Sequence, residues 1–113
     1  MSGSGVVPDP SPEPRFDPLI HAPHRLRISA MLSQAGGIEF SEIQRRTGLS
    51  KSALSKHLGQ LAEAGYARQA PFLRAGRSRL LVSLTETGRE AYTGHVAALE
   101  KILAASRDER GST

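Results

Sequence analysis

Between Gly48 and Tyr66 the chain reads GLSKSALSKHLGQLAEAGY, with apolar residues at Leu54, Leu58, Leu61 and Ala62. That i, i+4, i+7, i+8 spacing is one stripe of an α-helix. Ser50 suits its N-cap, because a hydroxyl there can accept an orphan backbone N–H. Gly65 ends it where a residue with positive φ is easiest to place. At roughly 100° per residue, the face opposite the leucines carries Ser52, Lys56 and Gly59, flanked by Ala53 and Ser55. It is small, hydroxylated and basic.

The same periodicity predicts the neighbouring elements. Phe16, Leu19 and Ile20 suggest a short helical turn, and Pro23 suits the first turn of a helix over His24 to Gln34. Leu26, Ile28, Met31 and Leu32 face the core of that helix, Arg25, Arg27 and Ser29 point elsewhere, and Ala35-Gly36-Gly37 ends it. Ile38-Glu39-Phe40 reads as a minimal strand. Ser41, with Gln44 three residues on, has the pattern of a capping box opening a short helix to about Thr47, with Ile43 inward. A tight turn at Gly48 and Leu49 then leads into the serine-lysine helix, which is the helix-turn-helix pattern.

Tyr66 to Ala70 and Ser78 to Leu84 read as two strands of a hairpin joined by PFLRAGRS, with Gly76 in the turn and Pro71 suited to an edge. Thr85 caps a last helix with Glu86 in its first turn. Ala91, Tyr92, His95, Val96, Leu99, Ile102 and Leu103 recur at three and four residues up to about Ser106. That stripe is long for so small a domain. Gly88 and Gly94 each weaken the helix by roughly 1 kcal/mol relative to alanine, so packing must hold it. Residues 1–15, with Pro8, Pro10, Pro12 and Pro14 and almost no apolar content, are expected to be a disordered tail, and residues 107–113 a frayed one. The folded part is then 16–106.

At 113 residues this is a single small domain. The expected class is mainly α with a small β-hairpin (α+β), a winged helix-turn-helix of about five helices and a two- to three-stranded sheet. There are no cysteines, so disulfides and thiolate metal sites are excluded. With no apolar run of membrane-spanning length and no apolar signal-peptide core, the expectation is a cytoplasmic protein. The formal charge of +4 is unevenly spread. Ser41 to Arg79 holds eight Lys/Arg against Glu42 and Glu63, a net of +6, while the remainder nets −2. Localised positive charge fits a polyanion partner, and it fits a solvated basic surface equally well. Joined to a helix with short donors and a lysine on its outer face, it points to a DNA major groove.

The segments IHAPHRLRISAML, FSEIQRRTGLSKSALSKHLGQLAEAGYA and LTETGREAY resemble the MarR-like winged-helix transcriptional regulators, with some similarity to ArsR-type repressors. The resemblance covers about Asp17 to Leu103. It implies a homodimer, typically a repressor, on a pseudo-palindromic operator. The recognition helix (50–64) would enter the major groove, and the wing (70–80) would reach the backbone or the adjacent minor groove. It also implies dimerisation through the first and last helices, here Leu19, Ile20, Tyr92, Val96, Leu99, Ile102 and Leu103. The chain is shorter than full-length MarR proteins, whose long terminal helices usually help to form a ligand pocket, so the resemblance leaves open whether a small-molecule or protein effector acts on it.

The candidate DNA-contacting residues are Ser52, Ser55 and Lys56 near base edges and Lys51 at a phosphate. Ala53 suits a thymine methyl. Ser41 would sit at a phosphate-binding helix N-terminus, with Arg45 and Arg46 as phosphate clamps. Arg74 and Arg77 stand at the hairpin tip, where a wing offers little else to pair with. Arg79, inside the strand, would either join them, stack on the sheet or bond a carboxylate. His57, at the edge of the leucine stripe, reads as half-buried and structural. His21, His24 and His95, with Asp17 or Glu90, lack a recognisable ligand spacing, so no metal or other cofactor is expected, although an ArsR-like metal-responsive repressor stays an alternative. A protein-interaction module using the same faces is another. Catalytic residues are not expected: no phosphate loop, nucleophile motif or paired carboxylates appear.

Overall fold

A computed structural model describes residues 13–111. In chain order the elements are α1 (Pro18–His21), α2 (Pro23–Ser33), β1 (Ile38–Glu39), α3 (Phe40–Thr47), α4 (Lys51–Glu63), β2 (Ala67–Arg74), β3 (Arg77–Leu84) and α5 (Glu86–Gly111). The three strands form one antiparallel sheet in the order β1-β3-β2. The fold is α+β, a helix-turn-helix with a hairpin wing.

One apolar core joins these elements. Ile20, Ile28, Leu32, Ile43, Leu54, Leu58, Leu61 and Val82 are fully buried, drawn from α1, α2, α3, α4 and β3. Each such side chain contributes roughly 1.5–3 kcal/mol relative to exposure. Ile20 therefore belongs to the chain's own core. Its expected place on a dimer surface is corrected, because no part of the side chain reaches solvent. Ala62 likewise leaves the leucine stripe and is exposed.

The turn into α4 runs through Gly48 at φ 73°, and the turn out through Gly65 at φ 80°. Ser50 caps α4 by accepting from the Ala53 N–H at 3.1 Å. α3, in contrast, starts two residues earlier than expected. Phe40 is helical, Glu39 takes the N-cap position, and no side chain caps the helix. Ser41 lies inside the first turn, so the Ser41–Gln44 capping box is not made. β1 shrinks accordingly to Ile38 and Glu39, whose pairing with Val82 and Leu81 holds them extended.

The hairpin strands run longer than the pattern predicts. PFLRAGRS is mostly strand, and only Ala75 (φ 51°) and Gly76 (φ 76°) turn the chain, the two-residue geometry that suits hairpin twist. Pro71 sits on the edge strand β2, opposite Leu80, where a missing N–H costs little.

α5 continues to Gly111, beyond the expected fraying point at Arg107. Ala104 to Arg110 contains no glycine or proline to stop it. Thr85 caps it, accepting from the Gly88 N–H at 3.0 Å. The first twelve residues of the expected tail lie outside the described residues. Arg15, the last residue of that expected tail, donates its backbone N–H to the Gly94 carbonyl at 3.0 Å, which ties the chain entry to α5.

Two polar knots position the helices. Asp17 caps α1 through Oδ1, accepting from the Leu19 and Ile20 N–H groups, while Oδ2 accepts from the Tyr66 hydroxyl at 2.6 Å. Its own N–H donates to His95 Nδ1 at 2.9 Å. Arg25 forms the second knot, donating from Nε to the Leu19 carbonyl and from Nη1 to Gln60 Oε1, both at 2.7 Å. This knot ties α4, through Gln60, to α1 and α2, beside the seat that buried Leu54, Leu58 and Leu61 give it.

Candidate nucleic-acid interface

α4 is amphipathic in the sense its pattern predicts. Leu54, Leu58 and Leu61 are fully buried, and Ser52, Ser55, Lys56 and Gly59 are exposed on the other side. A Cβ at Gly59 would meet nothing within 4 Å, so the helix surface there is bare. Lys51, at the first helical position, is also exposed. Between α3, α4 and the hairpin lies an open cleft of about 580 Å³ whose walls include Ser41, Gln44, Lys51, Ser55, Gln69 and Arg79. The structure thus brings five of the expected site residues into one region: Ser41, Lys51, Ser55 and Arg79 in the cleft, with Arg77 at the adjoining hairpin turn. Ser52 and Lys56 stand on the exposed face of the same helix, outside the cleft walls.

The basic residues differ in how free they are. Arg45 is held by Glu42 through Nε at 3.0 Å and Nη2 at 2.5 Å. The Arg45 hydrogen bond keeps the Glu42 carboxyl below the usual carboxylate range, and Glu42 in turn raises the Arg45 pKa. Arg46 is exposed, and its backbone carbonyl accepts from Arg27 Nη2 at 2.6 Å. Among the described residues no ion pair engages Lys51, Lys56, Arg46 or Arg77.

Arg74 is the main departure from expectation. It does not stand free at the hairpin tip. Its Nη1 donates to Glu39 Oε2 at 2.6 Å, and its guanidinium lies 5.5 Å from the centroid of the Phe72 ring. The carboxylate comes from β1, at the far side of the sheet, a pairing that no local spacing announces. Arg79 is half-buried, and its Nε has no hydrogen-bond partner among the described residues.

The histidines are structural in their contacts. His95 is fully buried. Since Nδ1 accepts from an amide N–H, the neutral ring carries its proton on Nε2, which faces His21 Nδ1 at 3.1 Å. Burial, foremost, and the neighbouring His21 lower its pKa, while Asp17 opposes them. His57 is half-buried against Arg25 and His24, and its pKa is lowered by burial first and then by those two charges. Among the described residues no group of three or more His, Asp or Glu side chains is placed to hold a metal ion. Sequence reasoning missed Asp17, Arg25 and Glu39 as organisers. The Asp17 cap on α1 is local and readable from an aspartate before Pro18. Its bonds to Tyr66 and His95, the Arg25 bond to Gln60 and the Glu39 pairing with Arg74 join residues distant in the chain.

A buried-backed helix with a polar outer face, a glycine turn before it and a basic hairpin beside it define a winged-helix DNA-binding domain. Residues 24–103 match the family model of that description, and the chain belongs to this family. It is 26% identical over 72 residues to an uncharacterized protein of Methanocaldococcus jannaschii, covering 64% of this chain and 78% of that one. Among solved structures it is similar to a transcriptional regulator homologue from Pyrococcus horikoshii OT3, at 25% identity and a TM-score of 0.73. That match covers 77% of this chain and 86% of the other. A protein of Enterococcus faecalis V583 assigned to the MarR family shares the fold at 19% identity, with a TM-score of 0.66 over 84% of each chain. The fold is that of the winged-helix transcriptional regulators, MarR family members included. No helix among the described residues is long and apolar enough to cross a membrane.

Proposed function

We propose that the protein is a homodimeric, sequence-specific DNA-binding regulator of transcription, acting as a repressor in the cytoplasm and not as an enzyme. The observation that carries this reading is the division of α4. Its leucine side is spent entirely on the core, and its outer side offers Ser52, Ser55 and Lys56 with no bulk at Gly59. Such a face can approach base edges closely, with serine hydroxyls as adaptable donors and the lysine suited to guanine O6 and N7.

Lys51 and Arg46 contact phosphates on this reading, and Ser41 lies at the uncapped start of α3, where free N–H groups favour an anion. Arg77 carries the wing to the backbone or the adjacent minor groove. Arg45 contributes less, being committed to Glu42.

Dimerisation is supported by α5. The helix is 26 residues long, and its later apolar positions find no cover among the described residues: Ile102 is 53% exposed and Leu103 57%. With Tyr92, Val96 and Leu99 half-buried further up, and Leu19 half-buried on α1, this stripe would gain most from a second copy. Two copies related by a two-fold axis place two recognition helices about one DNA turn apart. Gel-shift titrations at several salt concentrations test the reading, with binding that weakens steeply as salt rises as the expected result. Binding indifferent to salt would overturn it.

A further inference from the structure

The hairpin register places Arg74 opposite Arg77, Phe72 opposite Arg79 and Ala70 opposite Leu81, and β1 places Glu39 opposite Leu81 as well. Directly paired residues share a sheet face. Glu39, Arg74, Arg77 and Arg79 therefore occupy one face, the one turned away from buried Val82 and Leu84. Like charges directly opposite each other repel, so Arg74 and Arg77 cannot both sit comfortably at the tip without an anion. In the free protein that anion is Glu39, which draws Arg74 back across β3 to a 2.6 Å contact.

Resting on the DNA-binding reading above, we propose that Glu39 is an internal stand-in for a DNA phosphate. It holds Arg74 folded on the wing in the free protein and releases it to the duplex backbone. Three features support an exchange over a permanent strut. The pair is open to solvent on the arginine side, with 60% of the Arg74 side chain exposed against 22% for Glu39. Exposed ion pairs are weak enough for a phosphate to compete with them. The released carboxylate also has a successor. Arg79 is the diagonal neighbour of Glu39 on the same face, and both Arg79 Nε and Glu39 Oε1 lack a partner among the described residues. When Arg74 leaves, Arg79 can take the carboxylate, which avoids stranding a half-buried charge. Glu39 is then a positioning residue that sets how readily the wing grips any duplex.

The test is a double-mutant cycle on the full chain, binding one duplex at fixed low salt. Glu39→Gln should bind about two- to fivefold tighter than wild type, the range expected for freeing an exposed pair. Arg74→Ala should bind more weakly. Adding Glu39→Gln to Arg74→Ala should change nothing further. Glu39→Ala, which removes the carboxylate without adding a helix cap, should also bind tighter and serves if the glutamine variant folds poorly. Equal tightening in the Arg74→Ala background would assign the effect to general charge and overturn the exchange. Weaker binding by Glu39→Gln or Glu39→Ala would overturn it too, in favour of a pre-forming strut. If wild type itself showed no salt-dependent duplex binding, the DNA-binding reading would fall, and the exchange with it. If wild type binds and neither Glu39 variant binds tighter, only the exchange falls.

Discussion

Gly88 lies directly against the backbone of Tyr66: a Cβ at Gly88 would overlap the Tyr66 carbonyl oxygen and come within 2.7 Å of the carbonyl carbon. The first turn of α5 is thereby docked on the turn that ends α4. The Thr85 N–H donates to the same Tyr66 carbonyl at 3.0 Å. The glycine that weakens α5 as an isolated helix is what lets it pack. Gly88→Ala should destabilise the domain by about 3 kcal/mol or more, since backbone and not a yielding side chain fills the space. Gly59→Ala, with nothing within 4 Å, should instead stabilise by about 0.5–1 kcal/mol. Urea denaturation of both variants checks the pair, and equal effects would contradict the packing described.

Arg25 should matter to DNA binding without touching DNA. It ties Gln60 of α4 to the Leu19 carbonyl of α1, and His57 lies 3.3 Å from its Nη1. Arg25→Ala should cost about 1–3 kcal/mol of stability, by leaving part-buried acceptors unpaired, and should loosen the roll of α4. The expected signature is weaker duplex binding at a temperature where the variant remains fully folded by circular dichroism.

Stability should fall as the solution becomes acidic. His95 and His57 both have pKa values below the ordinary histidine value in the folded protein, burial being the larger cause for each. The unfolded chain therefore binds protons more readily. Their contribution is fully present above the unfolded value of about 6.5 and is lost as pH falls from there toward the lower folded values. Protonating His95 on Nδ1 would also break its bond from the Asp17 N–H. Urea midpoints should drop between about pH 7.5 and about pH 5, and His95→Gln should flatten the slope. An unchanged slope in that variant would remove His95 from the account.

The proposed dimer can be tested apart from DNA. Leu99→Glu with Leu103→Glu places two charges on the exposed α5 stripe and should give a folded monomer by ultracentrifugation, with much weaker operator binding. A variant that stays dimeric would move the interface elsewhere.

What could be read from the chain was what acts locally. The Ser50 cap, the Gly65 stop, the leucine stripe and the edge position of Pro71 each depend on neighbours within a few residues. Ser41 misled because its capping-box pattern was sound, yet pairing of β1 with β3 set Glu39 at the cap position and drew Phe40 into the helix. Arg74 misled for a longer-range reason. Charge counted from Ser41 onward leaves out Glu39, two residues earlier, and only the three-stranded register brings that carboxylate under the wing. Asp17, Tyr66 and His95 are joined across most of the chain, and no periodicity signals such a knot.

Within the proposed interface, Lys56 and Arg77 should separate by role. Lys56→Ala should relax sequence preference, whereas Arg77→Ala should weaken all duplexes alike and lower the salt slope by about one unit.

The central claim, two recognition helices reading one duplex, is tested most directly by in vitro selection of bound duplexes with the purified full chain. A two-fold dimer should enrich an inverted repeat with half-site centres about 10–10.5 base pairs apart. Recovery of no enriched duplex, or of a single half-site with no symmetric partner, would contradict it.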